Sequence, residues 1–298
     1  MEYVLRTKNL TKQFGSKSAV KDVSMQIRKG EIYGFIGKNG AGKTTLMRLV
    51  LGAAMPTEGD IELFGGESLN SARHRIGALL EYPCIYKNCS ALENLRRFAI
   101  LNGGDMDELE DILELVGLKN VGRKKAGQFS LGMKQRLAIA IALLGHPEFL
   151  VLDEPINGLD PAGIKEIRDV ILTLNQKKGV TFLVSSHLLD ELSKIVTTYG
   201  IIKDGVLIEQ ITAAELQARC RHHLRIEVDD TRKAAALLSC IVSDKRSVKV
   251  SDGCIFMYEL LDKSDRINRL LVRHGIKVSE LSMQTASLEE YFLERMGK

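Results

Sequence analysis

The sequence predicts an α/β fold built around a parallel β-sheet, and three apolar segments support this prediction. They begin near residues 31, 149 and 180, and each has the length of a buried strand. The first, EIYGFIG, leads into the glycine-rich loop GKNGAGKTT at 37–45, which precedes the helical pattern TTLMRLVLG. The second, FLVL at 149–152, ends in two adjacent acids. Because ligands bind at the carboxyl ends of parallel strands, the loop and the acids are expected at one edge of the sheet.

The segments before and between these strands predict two smaller parts of the first domain. Residues 1–30 contain short strand patterns such as VSMQIRKGE, which predict an antiparallel sheet that presents Phe14 beside the glycine-rich loop. Residues 88–128 lack strand patterns, and NLRRFAIL and DELEDILELVGL predict helices separated by a glycine break at 103–104. We therefore expect a helical subdomain over about 88–145.

The C-terminal part of the chain predicts a second, smaller domain. IIKDGVLIEQ at 201–210 has the pattern of a hairpin with Asp204 and Gly205 at its turn. LRIEVDD, TRKAAALLSCIV, SVKVSDGCIFMYEL and DRINRLLVRHG then predict a strand, a helix, a hairpin and a helix. The expected domains are thus 1–218 and an α+β domain at 219–298. The second could cover the core or hold a regulatory ligand, and the first alternative is favoured.

The loop at 37–45 has the composition of a phosphate-binding loop. Its glycines allow tight turns that aim successive amides at phosphate oxygens, and the following helix adds positive potential. Lys43 is expected to reach the β- and γ-phosphates, and the Thr44 hydroxyl to bind Mg²⁺. A chance glycine turn is the alternative, which the strand and helix on either side disfavour. The nucleotide-binding residues predicted here are Gly37, Asn39, Gly40, Ala41, Gly42, Lys43, Thr44 and Thr45.

The acids after the second apolar segment suit metal-assisted hydrolysis. Asp153 would hold Mg²⁺ through water, and Glu154 would polarise the water that attacks the γ-phosphate. Solvated acids that merely end a strand are the alternative, and the glycine loop upstream disfavours it. These two features together predict a nucleoside triphosphatase, which is a very large class.

The segment FSLGMKQR at 129–136 narrows this class. It resembles the LSGGQ signature of ATP-binding-cassette (ABC) proteins, with Ser130 and Gly132 at the matching serine and second-glycine positions. Leu131 and Met133 depart from that signature. An ordinary capped helix has nearly the same periodicity, but the position directly before the acid-ended strand favours the signature.

The resemblance to ABC ATPases implies roles for further residues and implies ATP and Mg²⁺ as cofactors. Phe14 matches the aromatic residue that stacks on adenine. The segment NGLD at 157–160, which ends in Asp160, matches the loop that communicates between the two nucleotide sites of a dimer. His187 matches the switch histidine that contacts the γ-phosphate and orients the attacking water. The expected catalytic residues are therefore Lys43, Glu154 and His187.

Glu81 is a departure from the family pattern. It stands where the family usually carries glutamine, and an ionised glutamate offers only acceptors and a charge. We expect it to contact both the nucleotide and Mg²⁺, and hypothesise that it tunes coupling to the membrane partner; a loop in which either residue works equally well is the alternative. In having a glutamate at this position, the chain resembles exporters for bacitracin-type peptides and for lantibiotic immunity. The groove for the membrane partner is expected near Glu81 to Asn94, including Ile85 and Tyr86.

Composition agrees with a peripheral subunit. No window approaches the roughly 20 apolar residues of a membrane helix, and MEYVLRTKNL lacks an apolar signal core. The net charge of +4, from 42 basic and 38 acidic residues, is too balanced to indicate nucleic acid as a partner. Five scattered cysteines without a CxxC pair favour free thiols over disulfides or zinc. We expect a cytoplasmic protein at the inner face of the cell membrane.

The resemblance implies the ATP-hydrolysing subunit of an ABC exporter, which pairs head to tail as a homodimer and acts through a separate permease. A peptide antibiotic or a similar amphiphile is the expected cargo. A cassette protein acting on ribosomes or DNA, a subunit for an unrelated cargo, and a kinase with the same glycine loop are the alternatives. One phosphate loop, one signature and no long coiled coil disfavour the ribosomal and chromosomal types. A kinase would leave the signature and His187 unexplained.

Overall fold

The computed structural model describes residues 2–80, 84–102, 104–220, 222–251 and 253–285, together with residues 288, 291, 292 and 295. It divides the chain into two compact units, Met1–Ala213 and Ala214–Lys298. The boundary predicted after residue 218 falls inside the helix Ala213–Arg219, and that division into domains stays a prediction.

The first unit contains ten strands and seven α-helices among its described residues. The strands are β1 (Tyr3–Phe14), β2 (Lys17–Val23), β3 (Gln26–Arg28), β4 (Ile32–Ile36), β5 (Glu58–Leu63), β6 (Ile76–Leu79), β7 (Phe149–Leu152), β8 (Thr181–Ser186), β9 (Thr198–Lys203) and β10 (Val206–Thr212). The helices are α1 (Lys43–Leu51), α2 (Leu69–Arg73), α3 (Ala91–Asn102), α4 (Leu109–Leu115), α5 (Leu131–Ala142), α6 (Pro161–Lys178) and α7 (Leu189–Leu192).

The central sheet of this unit has six strands in the order β10-β9-β4-β8-β7-β6. The pairs between β9 and β6 are parallel, and β10 closes the sheet as an antiparallel hairpin with β9. Every residue of β4, β7 and β8 is buried, as expected for strands covered on both faces. The order places β8 between the strand that precedes the glycine loop and the strand that precedes the acids. Both features therefore share the carboxyl edge of the sheet.

The predicted antiparallel sheet is present at the start of the chain. β1 pairs with β2, β3 and β5, all antiparallel. Its inward side chains, Val4, Leu5 and Leu10, are at most 1% exposed and join the core beneath α1. Phe14 is the last residue of β1, so the end of this strand determines where its ring lies.

The predicted helical subdomain is formed by α3, α4 and α5, between β6 and β7 in sequence. α3 begins with a capping box: Glu93 N–H donates to Ser90 Oγ over 3.2 Å, and Ser90 N–H donates to Glu93 Oε2 over 2.6 Å. The helix ends at Asn102, and Gly104 N–H donates back to Ala99 O over 2.8 Å. Gly103, the other half of the predicted break, lies outside the described residues.

The second unit is a small α+β structure. Its elements are α8 (Ala213–Arg219), β11 (His222–Val228), α9 (Thr231–Ser239), β12 (Val248–Ser251), β13 (Cys254–Met257), α10 (Ser264–Arg273) and β14 (Val278–Thr285). The antiparallel sheet order β12-β13-β11-β14, with one helix in each crossover, is a β-α-β-β-α-β arrangement. Its core joins sheet residues such as Leu224 and Ile255 to Leu238 and Leu271 of the two helices.

These elements confirm the predicted fold class: an α/β core, an antiparallel sheet, a helical subdomain and a C-terminal α+β extension. In the described ranges, no helix combines the length and the apolar character needed to span a bilayer. All five cysteines are free thiols.

Candidate nucleotide-binding site

The glycine-rich loop turns sharply between β4 and α1, and two of its glycines are required sterically. Gly42 caps α1 with φ +107°, and a Cβ added there would lie 2.4 Å from Ala19 O. A Cβ on Gly37 would lie 2.5 Å from Ile202 O. The loop therefore packs directly against neighbouring backbone, and a side chain at either position would push it away.

Lys43 points into this loop rather than into solvent. Its side chain is 6% exposed, and Nζ donates to Gly37 O over 2.6 Å and to Lys38 O over 3.3 Å. Nζ also lies 3.3 Å from Glu154 Oε1. The ammonium group is thus already at the centre of the loop, held by acceptors that a phosphate oxygen could replace.

The predicted metal-binding residues Thr44 and Asp153 are in contact. Asp153 is 3% exposed, and its Oδ2 accepts a hydrogen bond of 2.6 Å from Thr44 Oγ1. Its Oδ1 accepts a short hydrogen bond from Ser185 Oγ. A hydroxyl and one carboxylate are suitable oxygen ligands for Mg²⁺, which keeps waters and takes phosphate oxygens for its remaining positions. In the described part of the chain, we find no group of three or more His, Cys, Asp or Glu side chains that is placed to hold a metal.

Glu154 has an unusual backbone conformation that directs its carboxylate to the site. Its φ is +49°, the left-handed region, and its N–H donates to Ser185 Oγ over 2.8 Å. One oxygen, Oε2, lies 2.8 Å from His187 Nδ1. The other, Oε1, is buried and has no hydrogen-bond partner beyond its ion pair with Lys43. An acceptor oxygen beside the phosphate loop is what a water-activating carboxylate requires.

A cavity of about 480 Å³ opens over the loop. Phe14, 57% exposed, borders it, as does Glu154. Sequence reasoning missed the other walls, which come from β2 and from the β9–β10 turn. That turn is tied to the loop because Gly205 N–H donates to Ala41 O over 2.9 Å. The lining residues are Phe14, Lys17, Ser18, Ala19, Asn39, Gly40, Gly42, Lys43, Thr44, Thr45, Glu154, Asp204 and Gly205.

The signature residues lie at a separate place, the start of α5. Ser130 is the exposed N-cap, and its Oγ accepts from Met133 N–H over 3.2 Å. Asp160 caps α6 in the same way, accepting from Gly163 N–H over 3.0 Å. A Cβ on Gly132 would lie 3.6 Å from Gly163 Cα, so the two helix starts are neighbours. Neither Ser130, Gly132 nor Asp160 lines the cavity over the glycine loop.

The residue that departs from the family pattern, Glu81, lies outside the described residues, as do positions 82 and 83. The expected contacts of Glu81 with nucleotide and metal therefore stay predictions. Of the aromatic and apolar residues expected beside it, Tyr86 is 43% exposed and its ring centroid lies 5.7 Å from that of Phe98.

The fold and the site together define an ATPase of the ATP-binding-cassette class, with a phosphate loop, an acid-ended strand and a serine-capped signature helix. The family model described as "ABC transporter" matches residues 20–157. The chain is 41% identical over 301 residues to the bacitracin transport ATP-binding protein BcrA of Bacillus licheniformis, covering 100% of this chain and 98% of that protein. It is 40% identical over 205 residues to the lantibiotic transport ATP-binding protein SrtF of Streptococcus pyogenes, covering 69% of this chain and 89% of that protein.

Solved structures show the same cassette. A nucleotide-free ATP-binding cassette from an ABC transporter is 28% identical with a TM-score of 0.67, covering 73% of this chain and 94% of that one. A dimeric cassette in a post-hydrolysis state with ADP and phosphate is 25% identical with a TM-score of 0.62, covering 70% and 98%. This chain belongs to the family of ABC transporter ATP-binding proteins, and it is an ATPase that binds ATP. The predicted resemblance is confirmed.

Proposed function

We propose that this protein is the ATP-hydrolysing subunit of an exporter for a bacitracin-type peptide or a similar amphiphile, acting through a separate membrane permease. The observation that carries the proposal is similarity over the whole chain, including the C-terminal unit, to a bacitracin transport ATP-binding protein. The two named transport relatives also favour a transporter over a cassette acting on ribosomes or DNA.

Nucleotide binding follows from the groups around the cavity. The ring of Phe14 stacks on adenine, and the amides of the loop between Gly37 and Thr45 hold the phosphates. Lys43 exchanges the carbonyl oxygens of Gly37 and Lys38 for phosphate oxygens. Mg²⁺ would be held by Thr44 and Asp153, with Glu81 as a further predicted contact, and would neutralise phosphate charge and polarise the γ-phosphoryl group.

Hydrolysis is assigned to Glu154 and His187. Glu154 Oε1 accepts a hydrogen bond from the attacking water, which polarises that water and orients it toward the γ-phosphorus. His187, whose Nδ1 lies 2.8 Å from Glu154 Oε2, presents its second ring nitrogen to the γ-phosphate. Departure of Lys43 from Glu154 upon nucleotide binding frees the carboxylate for this role.

The complete site needs a second copy of the chain. Ser130, Gly132 and Asp160 lie away from the cavity that holds the phosphate loop of their own chain. A head-to-tail homodimer places the exposed start of α5 over the nucleotide of the partner, where the Ser130 hydroxyl and the free amides of the first turn meet its phosphate. Closure on ATP and release after hydrolysis would then move the permease.

The permease contact is assigned to the segment from Glu81 to Asn94, in which Glu81 adjusts coupling. Tyr86 offers an exposed aromatic surface there, and the buried Asn94 holds the segment's backbone by accepting from Tyr86 N–H over 2.7 Å. Association with a permease would place the subunit at the inner face of the cell membrane.

Bacitracin susceptibility of cells that carry the protein with its permease tests the proposal. Wild-type protein is expected to raise the inhibitory concentration, and Glu154→Gln to return it to the level of cells without the pair. The charge-neutral change retains the size of the side chain, so expression and membrane recovery serve as controls. Equal resistance from wild type and Glu154→Gln contradicts ATP-driven export, and no resistance from wild type contradicts the cargo assignment.

A further inference from the structure

Ser185 is a fully buried hydroxyl that connects the two acids of the site. It lies in β8, with no exposed surface. Its Oγ donates to Asp153 Oδ1 and accepts from Glu154 N–H over 2.8 Å. A serine hydroxyl has a single hydrogen to donate, so that donor is committed to Asp153 while a lone pair serves Glu154.

Sheet topology explains why this serine reaches both acids. β7 and β8 are parallel neighbours with Leu152 opposite Val184. The next residue on each strand is Asp153 on one side and Ser185 on the other. Because residues opposite each other in a sheet direct their side chains to the same face, the hydroxyl lies beside the carboxylate. Nothing in the local sequence around Ser185 indicates this contact.

The two hydrogen bonds act on different features of the site. With Oδ1 of Asp153 occupied by Ser185, the other oxygen, Oδ2, faces the hydroxyl of Thr44 at 2.6 Å. The bond to Glu154 N–H helps to hold a left-handed backbone, at φ +49°, that L-residues other than glycine disfavour. That backbone conformation directs the Glu154 side chain toward His187.

We propose that Ser185 is a positioning residue for ATP hydrolysis: it orients Asp153 toward Mg²⁺ and fixes the backbone of Glu154. This inference rests on the proposed roles of those two acids. Ser185 itself does not contact the substrate. It acts through the carboxylate of Asp153 and the backbone amide of Glu154.

Three variants of the full chain test this role. Ser185→Ala removes both hydrogen bonds without adding volume, and Ser185→Thr retains the hydroxyl. Thr181→Val is the matched control, because Thr181 is also fully buried on β8 but its Oγ1 accepts from Gly30 N–H over 2.9 Å, at the other end of the strand. Binding of a fluorescent ATP analogue is titrated with Mg²⁺ and repeated in EDTA, and melting temperature and ATPase rate are measured on the same samples.

For Ser185→Ala we expect nucleotide binding in EDTA to stay unchanged and the half-saturating Mg²⁺ concentration to rise about tenfold, the size of a lost hydrogen bond to a charged group. The ATPase kcat falls in parallel. The half-saturating Mg²⁺ concentration of Ser185→Thr should stay within about twofold of the wild-type value. Thr181→Val should have the Mg²⁺ dependence and kcat of wild type even if its melting temperature falls.

Two results overturn the inference. One is a Ser185→Ala variant whose Mg²⁺ dependence and kcat equal those of wild type. The other is a loss in Thr181→Val as large as that in Ser185→Ala, which would show a general effect of weakening β8. If the wild-type protein hydrolyses ATP but confers no resistance, the export proposal fails while the Mg²⁺ titration still decides the role of Ser185.

Discussion

At the scale of single residues, the polar side chains of the site form hydrogen bonds and ion pairs with one another and with the backbone of the glycine-rich loop. Lys43 is bound to carbonyl oxygens of its own loop and to Glu154, and Glu154 in turn holds His187. Each residue type was predictable from the motifs, but these pairings were not. The glycines of the loop serve a different purpose, since they allow the backbone to approach other backbone closely.

Gly42→Ala should therefore remove nucleotide binding, because its Cβ would meet Ala19 O at 2.4 Å in addition to adopting φ +107°. Gly30→Ala is the matched control: it also has a positive φ, +79°, but its Cβ would have nothing within 4 Å. We expect the control to cost about 1 kcal/mol in the free energy of unfolding. Gly30→Ala should bind a fluorescent ATP analogue normally. Gly42→Ala should lower the free energy of unfolding by at least about 2 kcal/mol and should not bind the analogue. Normal binding by Gly42→Ala would contradict this account of the loop.

At the scale of elements, helix starts are capped by side chains where the sequence has Ser or Asp. Ser130 caps α5 and Asp160 caps α6, so the two segments assigned to the partner's nucleotide are also structural caps. Ser90 and Glu93 cap α3 reciprocally. These contacts could be predicted from the sequence, because the capping residue and the amide that donates to it are only three residues apart.

The capping box of α3 predicts a pH dependence of stability. Hydrogen bonds from the Ser90 backbone and side chain, with smaller contributions from Lys125 and Arg97, lower the pKa of Glu93 below its ordinary 4.5. A carboxyl whose pKa is lower in the folded chain stabilises the fold above the unfolded value, and this contribution is lost as pH falls through the folded pKa. Glu93→Gln should therefore unfold at lower urea concentration than wild type at pH 7, and the difference should shrink below pH 4.5.

The exposed Glu58→Gln on β5 is the control for this measurement and should follow wild type across the same pH range. A Glu93→Gln deficit that stays constant between pH 7 and the acid end would show that the ionised carboxylate is not what stabilises the helix start.

At the scale of the whole molecule, the predicted nucleotide-contacting residues fall into two separate groups. The cavity over the glycine loop lacks the signature residues, which lie at the exposed start of α5. Under the proposed head-to-tail arrangement, a second copy would supply the signature residues, and dimeric cassettes occur among the similar structures.

In the presence of ATP and Mg²⁺, the Glu154→Gln protein should have the mass of a dimer in light scattering, because it binds ATP but does not hydrolyse it. Adding Ser130→Arg should return it to a monomer, because the long side chain would fill the space that the partner's phosphate occupies, while ATP-analogue binding to each monomer is retained. A Glu154→Gln protein that stays monomeric at saturating ATP would contradict the head-to-tail arrangement.

Much of the site was predictable because its motifs are continuous in sequence. The loop at 37–45, the strand before Asp153 and the cap at Ser130 are each encoded within about ten residues, where glycine conformation, apolar runs and capping side chains act locally. The walls formed by Ser18, Ala19 and Gly205 were not predicted, because they reach the loop only through the pairing of β9 with β4 and the packing of β2.

The sequence was enough to identify the family and to predict the chemistry of the site: a phosphate loop, a metal-binding acid and a water-activating acid. Tertiary structure alone decided which groups restrain them. β8 lies between β4 and β7, and its register sets Ser185 against Asp153 across more than thirty residues of chain. The physical reason is that side-chain types are local properties, whereas a hydrogen bond between strands depends on sheet order and register, which the whole core fixes together.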